Sequence, residues 1–200
     1  MEIVMTRTAE GRSTTLVRRD DGVALELPSY APLHRLPHDL AHFVVERTLG
    51  LPWGFWGSIA AGAVFGGVEV LPRKRTARVA ERSRQVMRSA SSQVTEAEAV
   101  VGSVVEIYQR RVDRDWAAAR ALLSGIWRPA HPSRELPTQA EVRRVCQELS
   151  EAEKRWFSMP IDSSVTLVWP GPQASPRRGG ARSRQRRRTS ACSRRADARG

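Results

Sequence analysis

Lysine is almost missing from this chain: of 33 basic residues only Lys74 and Lys154 are lysine, and the other 31 are arginine. Such a bias follows GC-rich codons rather than a choice made for binding, so a formal charge of +12 does not by itself announce a nucleic-acid partner. The charge is also unevenly placed. Residues 171–200 carry ten Arg against one Asp, a net +9, which leaves +3 on residues 1–170. Cysteine is equally scarce, and Cys146 and Cys192 are too few for a disulfide scaffold or a cysteine metal cluster, which fits a reducing, cytoplasmic compartment. No Walker-type phosphate loop and no G-x-S-x-G elbow is present, which argues against the nucleotide and acyl chemistries those motifs serve. The opening MEIVMTRTAEGRS has no apolar core behind a basic start, so no secretory leader is expected.

One stretch lacks charge altogether. Residues 49–68 run for twenty positions without an ionisable group, the length of a membrane span. Pro52 and six glycines dilute that run, each glycine weakening a helix by up to about 1 kcal/mol. The expectation is therefore a buried glycine-rich segment packed against the preceding helix, with no membrane partner. Trp53, Phe55 and Trp56 are then core residues before they are a binding patch.

Short β-rich runs at residues 2–7, 14–19 and 23–27, the last two joined through Asp21-Gly22, predict an antiparallel N-terminal meander. Pro37 opens a helix whose stripe is Leu40, Phe43 and Val44, with Gly50 as its stop. Residues 73–88 read as a basic surface helix. Thr95 with Glu98 has the spacing of a capping box, which predicts a fresh helix starting there and running through Val101, Val104, Tyr108, Val112 and Trp116 to a stop at Gly125. Thr138 with Glu141 repeats the spacing before Val142, Val145, Cys146, Leu149 and Trp156. Val165, Leu167 and Trp169 alternate with polar residues, so a last strand should return to the sheet. The fold class expected is α+β: a small antiparallel sheet packed with three or four helices, one domain over residues 1–170. Residues 171–200 contain no Leu, Ile, Val, Phe, Tyr or Trp and should form a disordered tail.

Three of the four histidines lie within nine residues, in His34-Arg35-Leu36-Pro37-His38-Asp39-Leu40-Ala41-His42. Four residues advance a helix direction by only about 40°, so His38, His42 and Glu46 follow one another along one face. Two imidazoles at that spacing can share one metal, and a carboxylate can serve as third ligand while a fourth position stays open. The candidate metal set is His38, His42 and Glu46, and zinc is the candidate ion.

The run His38-Asp39-Leu40-Ala41-His42 resembles the His-Glu-x-x-His helix of zincin metallopeptidases. That resemblance implies His38 and His42 as zinc ligands, a third ligand at Glu46 or Glu69, and Asp39 as general base where the family has Glu. Asp is shorter by one methylene, roughly 1.5 Å of reach. His38-Asp39 is also similar to the central pair of HD-domain phosphohydrolases, which take a further His from an earlier helix; the only upstream histidine here is His34. The longer string LPHDLAHFVVE followed by GFWGSIAAGAVF resembles a bacterial family to which no activity is assigned, and this implies a compact domain over roughly the first 170 residues.

Against the metal site stands a plainer account. Asp39 in a first helical turn is favoured by the helix dipole whatever the function, and His42 beside Phe43 suits a hydrogen-bonded core position. No complete catalytic set is visible. The leading expectation is a cytoplasmic binding or structural module with a protein or small-molecule partner, touching nucleic acid only non-specifically through the tail. The alternative is a zincin-like metal-dependent hydrolase using His38 and His42.

Overall fold

The computed structural model describes residues 1–9, 12–28, 36–72, 76–130 and 135–170. The expected tail at 171–200, His34 and His131 lie outside the described residues. Among the described residues five strands form one sheet in the order β4-β3-β2-β1-β5, every neighbouring pair antiparallel. They are β1 (Glu2–Arg7), β2 (Ser13–Arg18), β3 (Ala24–Leu27), β4 (Glu69–Leu71) and β5 (Ser164–Val168). The fold is α+β, as the alternation of the first three runs and the last one implies. Strand β4 is an addition, a three-residue edge that pairs Glu69 with Glu26.

Alternation decides which face is buried. Ile3, Met5, Val17, Leu25 and Leu27 all point to one side and are buried there in the same core as Leu40, Phe43 and Val44 of the first helix, α1 (His38–Leu49). Register fixes this arrangement, with Ile3 opposite Val17 and Leu167, and Met5 opposite Thr15 and Val165. The ring of Trp169, just beyond β5, meets Phe43 edge-on at 5.8 Å.

The glycine-rich run is divided into a short helix, α2 (Phe55–Ala61), and the approach to β4. Trp56 and Ile59 are fully buried, whereas Trp53 is exposed. Among the described residues no helix is long and apolar enough to cross a membrane.

Two boundaries differ from the expectation. The basic segment and the helix anticipated at Thr95 are one element, α3 (Ala77–Arg110), 34 residues long. Thr76 caps it, its hydroxyl accepting from Val79 N at 3.3 Å. Thr95 sits mid-helix and its hydroxyl donates back to Ser91 O, so the capping-box spacing there is coincidental. Nothing between Ala77 and Val101 breaks a helix, for neither Pro nor Gly occurs in that stretch. Conversely, the stripe expected to run unbroken through Val112 to Gly125 is interrupted. Arg111 adopts a left-handed conformation, a single 3-10 turn follows over Val112–Arg114, and α4 (Trp116–Ala130) begins anew and passes straight through Gly125. The last helix, α5 (Gln139–Ser158), starts as expected, with both halves of the Thr138/Glu141 capping box formed. The described residues thus hold five helices, one more than the upper expectation: the merger that makes α3 removes one, the break at Arg111 makes two of one, and the glycine-rich run adds α2.

Helices α1, α3 and α5 pack against one another, and α4 lies along α3. The first half of α3 carries a small separate cluster in which Val86 and Ala90 meet Ala63, next to α2.

Candidate functional site

Pro37 stands at the cap of α1, so His38 is the first helical residue and His42 lies one turn further on the same face. Their rings are 4.5 Å apart between centroids. His42 is completely buried while about half of the His38 side chain is exposed. From α3, Glu98 completes the group. Its Oε2 lies 3.1 Å from His42 Nε2 and 3.6 Å from His38 Nε2. One ligand atom from each of these three residues falls within 4.8 Å of the others.

Each histidine has its second nitrogen turned to another carboxylate. His42 Nδ1 lies 2.8 Å from Glu46 Oε1. Glu46 is itself fully buried, and its two oxygens accept from the backbone amides of Phe55 at 2.9 Å and Trp56 at 3.1 Å. The two amides can only donate and so favour the carboxylate form of Glu46, against the burial that pushes its carboxyl pKa up. Gly54 permits that approach: a Cβ there would stand 2.4 Å from Glu46 Cδ. At His38 the second nitrogen faces Asp39 Oδ1 at 3.8 Å, too long for a hydrogen bond but close enough for its charge to act. Asp39 Oδ2 accepts from Thr15 of β2 at 3.2 Å, and Trp56 Nε1 donates to the Asp39 carbonyl at 3.0 Å.

The electrostatics follow from these distances. Asp39 and then Glu98 hold the His38 imidazole up at about 9 against the smaller effect of burial. Burial pushes His42 down, but Glu46 and Glu98 together outweigh it and leave it raised. Burial likewise pushes Glu98 up, and the two histidines outweigh it and hold the carboxyl well below the usual range.

The sequence-derived candidates are therefore distributed as follows in space. His38 and His42 come together. Glu46 approaches the same histidine, from the nitrogen opposite to the one that faces Glu98. Asp39 supports His38 and the sheet. Glu69 lies on the edge strand β4, outside the group of ligand atoms. Glu98 is the residue that sequence reasoning missed, because it was absorbed into the supposed capping box with Thr95. A signal existed: Glu98 continues the stripe of Val101 and Val105 at helical spacing, so a carboxylate stands in line with an apolar face.

Beside the cluster runs a groove of about 1740 Å³ between α1, α3 and α5, lined by His38, Glu98, Val101, Val105, Cys146 and Phe157 among others. Two occupants fit the cluster chemically. With a proton on each ring nitrogen, His42 donates to Glu46 and to Glu98 and no further group is needed. With Nε2 deprotonated, both histidines and Glu98 present lone pairs to one point. No family model, curated protein or solved structure matches this chain.

Proposed function

We propose that the chain is a metal-binding module in which His38, His42 and Glu98 hold a single zinc ion between α1 and α3. The observation that carries this reading is the approach of one Glu98 oxygen to a nitrogen of each histidine. Two ligands each about 2.0 to 2.1 Å from a tetrahedral ion lie about 3.3 Å apart; the separations from Glu98 Oε2 are 3.1 and 3.6 Å, and all three ligand atoms lie within 4.8 Å of one another. Two imidazole nitrogens with one carboxylate form a donor set that suits zinc.

The test is elemental analysis of the full chain, without an added histidine tag, after reconstitution and desalting. One zinc per chain is expected, and His38→Ala or Glu98→Gln, both at half-exposed positions, should remove it. A wild-type chain that retains no zinc overturns the reading.

A metal-dependent hydrolase is the second reading, and the groove favours it. Three protein ligands leave one position of a tetrahedral ion for water or substrate, and His38 and Glu98 line the groove wall. Asp39 as base is the weak part of this alternative, since its carboxylate engages Thr15 and approaches His38 through Nδ1 rather than Nε2. Zinc-dependent turnover of activated ester or peptide substrates, lost in Glu98→Gln, would support it; equal rates with and without zinc would remove it.

A further inference from the structure

We propose that Glu46 is a positioning residue for the metal, holding the His42 ring with its proton on Nδ1 so that the Nε2 lone pair is aimed at the point shared with His38 and Glu98. The inference rests on the zinc reading given above and assigns Glu46 a place outside the ligand set. Neutral imidazole has two tautomers, and a ring free to choose presents the right nitrogen only part of the time. A carboxylate on one nitrogen removes that choice, since it accepts a proton and cannot give one. The 2.8 Å contact from His42 Nδ1 to Glu46 Oε1 supplies this constraint.

What separates Glu46 from an ordinary helical neighbour is how firmly the carboxylate is itself fixed. The amides of Phe55 and Trp56 grip one oxygen each, and Gly54 leaves the space the carboxyl carbon fills. The side chain is fully buried, and turning it away from Nδ1 would give up both amide contacts. The chain from metal to fold is thus His42, Glu46, then the start of α2. This also gives Gly54, one of the six glycines in the uncharged segment after α1, a reason to be glycine: a Cβ there would displace the group that orients the ligand.

Two measurements test this on the full chain. In the zinc-loaded wild type, nitrogen NMR of the His42 ring should show Nδ1 protonated and zinc on Nε2; zinc on Nδ1 overturns the proposal without any variant being needed. Separately, zinc affinity measured by competition with a chromophoric chelator should fall roughly 10- to 100-fold in Glu46→Gln, because the amide offers a single acceptor oxygen where three donors converge. Glu46→Gln that is folded and binds zinc as tightly as the wild type also overturns it. Failure of the zinc reading looks different: the wild type itself would bind no zinc, and both assignments would fall together.

Discussion

A fully buried histidine has two ring nitrogens to satisfy, and at His42 both meet carboxylates, Glu46 on one side and Glu98 on the other. Whichever occupant the site holds, His42 and Glu46 form an internal pair whose separation is costly. Truncation as His42→Ala leaves the Glu46 charge inside the protein with only two amides, and breaking such a pair typically costs about 3 to 5 kcal/mol. Glu98→Gln, at a half-exposed position, should cost about 1 kcal/mol or less. Denaturant midpoints of the two metal-free variants should separate by that margin, and equal midpoints would show that the internal pair carries no such weight. The histidine pair was legible in the sequence because four-residue spacing is a local property of a helix. For Glu98 only its place on an apolar stripe was legible; its partner was not, since only the packing of α3 on α1 brings a residue 56 positions away to His42. Cys146 is a second residue whose behaviour follows from place: burial, with a smaller contribution from Asp113, pushes its thiol up to about 12. The folded state therefore keeps a proton that the unfolded chain releases near the ordinary thiol value of 9. This contribution to stability is complete below pH 9 and is lost as the pH rises toward 12. At pH 8, in a Cys192→Ser background, a disulfide reagent should leave the native thiol unmodified and react fully once denaturant is added; fast reaction in the native chain would contradict its burial.

Capping logic succeeded at one helix and failed at another, and the difference is instructive. Thr138 and Glu141 follow Pro137, which cannot donate into a helix that runs through it, so the side-chain cap has free amides to satisfy. Thr95 follows a run of Ser, Gln and Val that tolerates a helix, and its amides are already engaged by the preceding turns of α3. Sequence spacing alone did not distinguish them; the residues before the motif did. The break between α3 and α4 was invisible for a related reason, since Arg111 enters the left-handed region at φ 55° with none of the glycine or asparagine that usually signals it. Opposite effects on stability are expected. Thr138→Ala removes a formed cap and should destabilise by about 1 kcal/mol, while Arg111→Gly relieves an unfavourable backbone angle and should stabilise by roughly 0.5 to 1 kcal/mol. Thermal or denaturant unfolding reads both, and a destabilising Arg111→Gly would mean that the side chain's own contacts outweigh the backbone strain.

The strand order joins the two ends of the described chain, β1 lying between β2 and β5, and Trp169 N donates to Met1 O at 2.9 Å. That closure occurs immediately before the arginine-rich residues 171–200. The final thirty residues offer no aliphatic or aromatic side chain beyond alanine and proline with which to offset the entropy of ordering. Removal of residues 171–200 should therefore leave the melting temperature nearly unchanged. The same truncation takes away nine of twelve net positive charges. Ten arginines on one segment can neutralise several phosphates and release their counterions, which gives weak, sequence-independent binding that falls steeply with salt. The remaining +3 is spread over 170 residues and is interrupted by acidic groups, as along α3, where Glu81 pairs with Arg84 and Arg88. On a DNA column the full chain should be retained at low salt and released at moderate salt, and the truncated chain should pass through. Retention of residues 1–170 with a preference for one sequence would place a recognition surface on the domain itself, with the exposed arginines of α3 as the first to substitute.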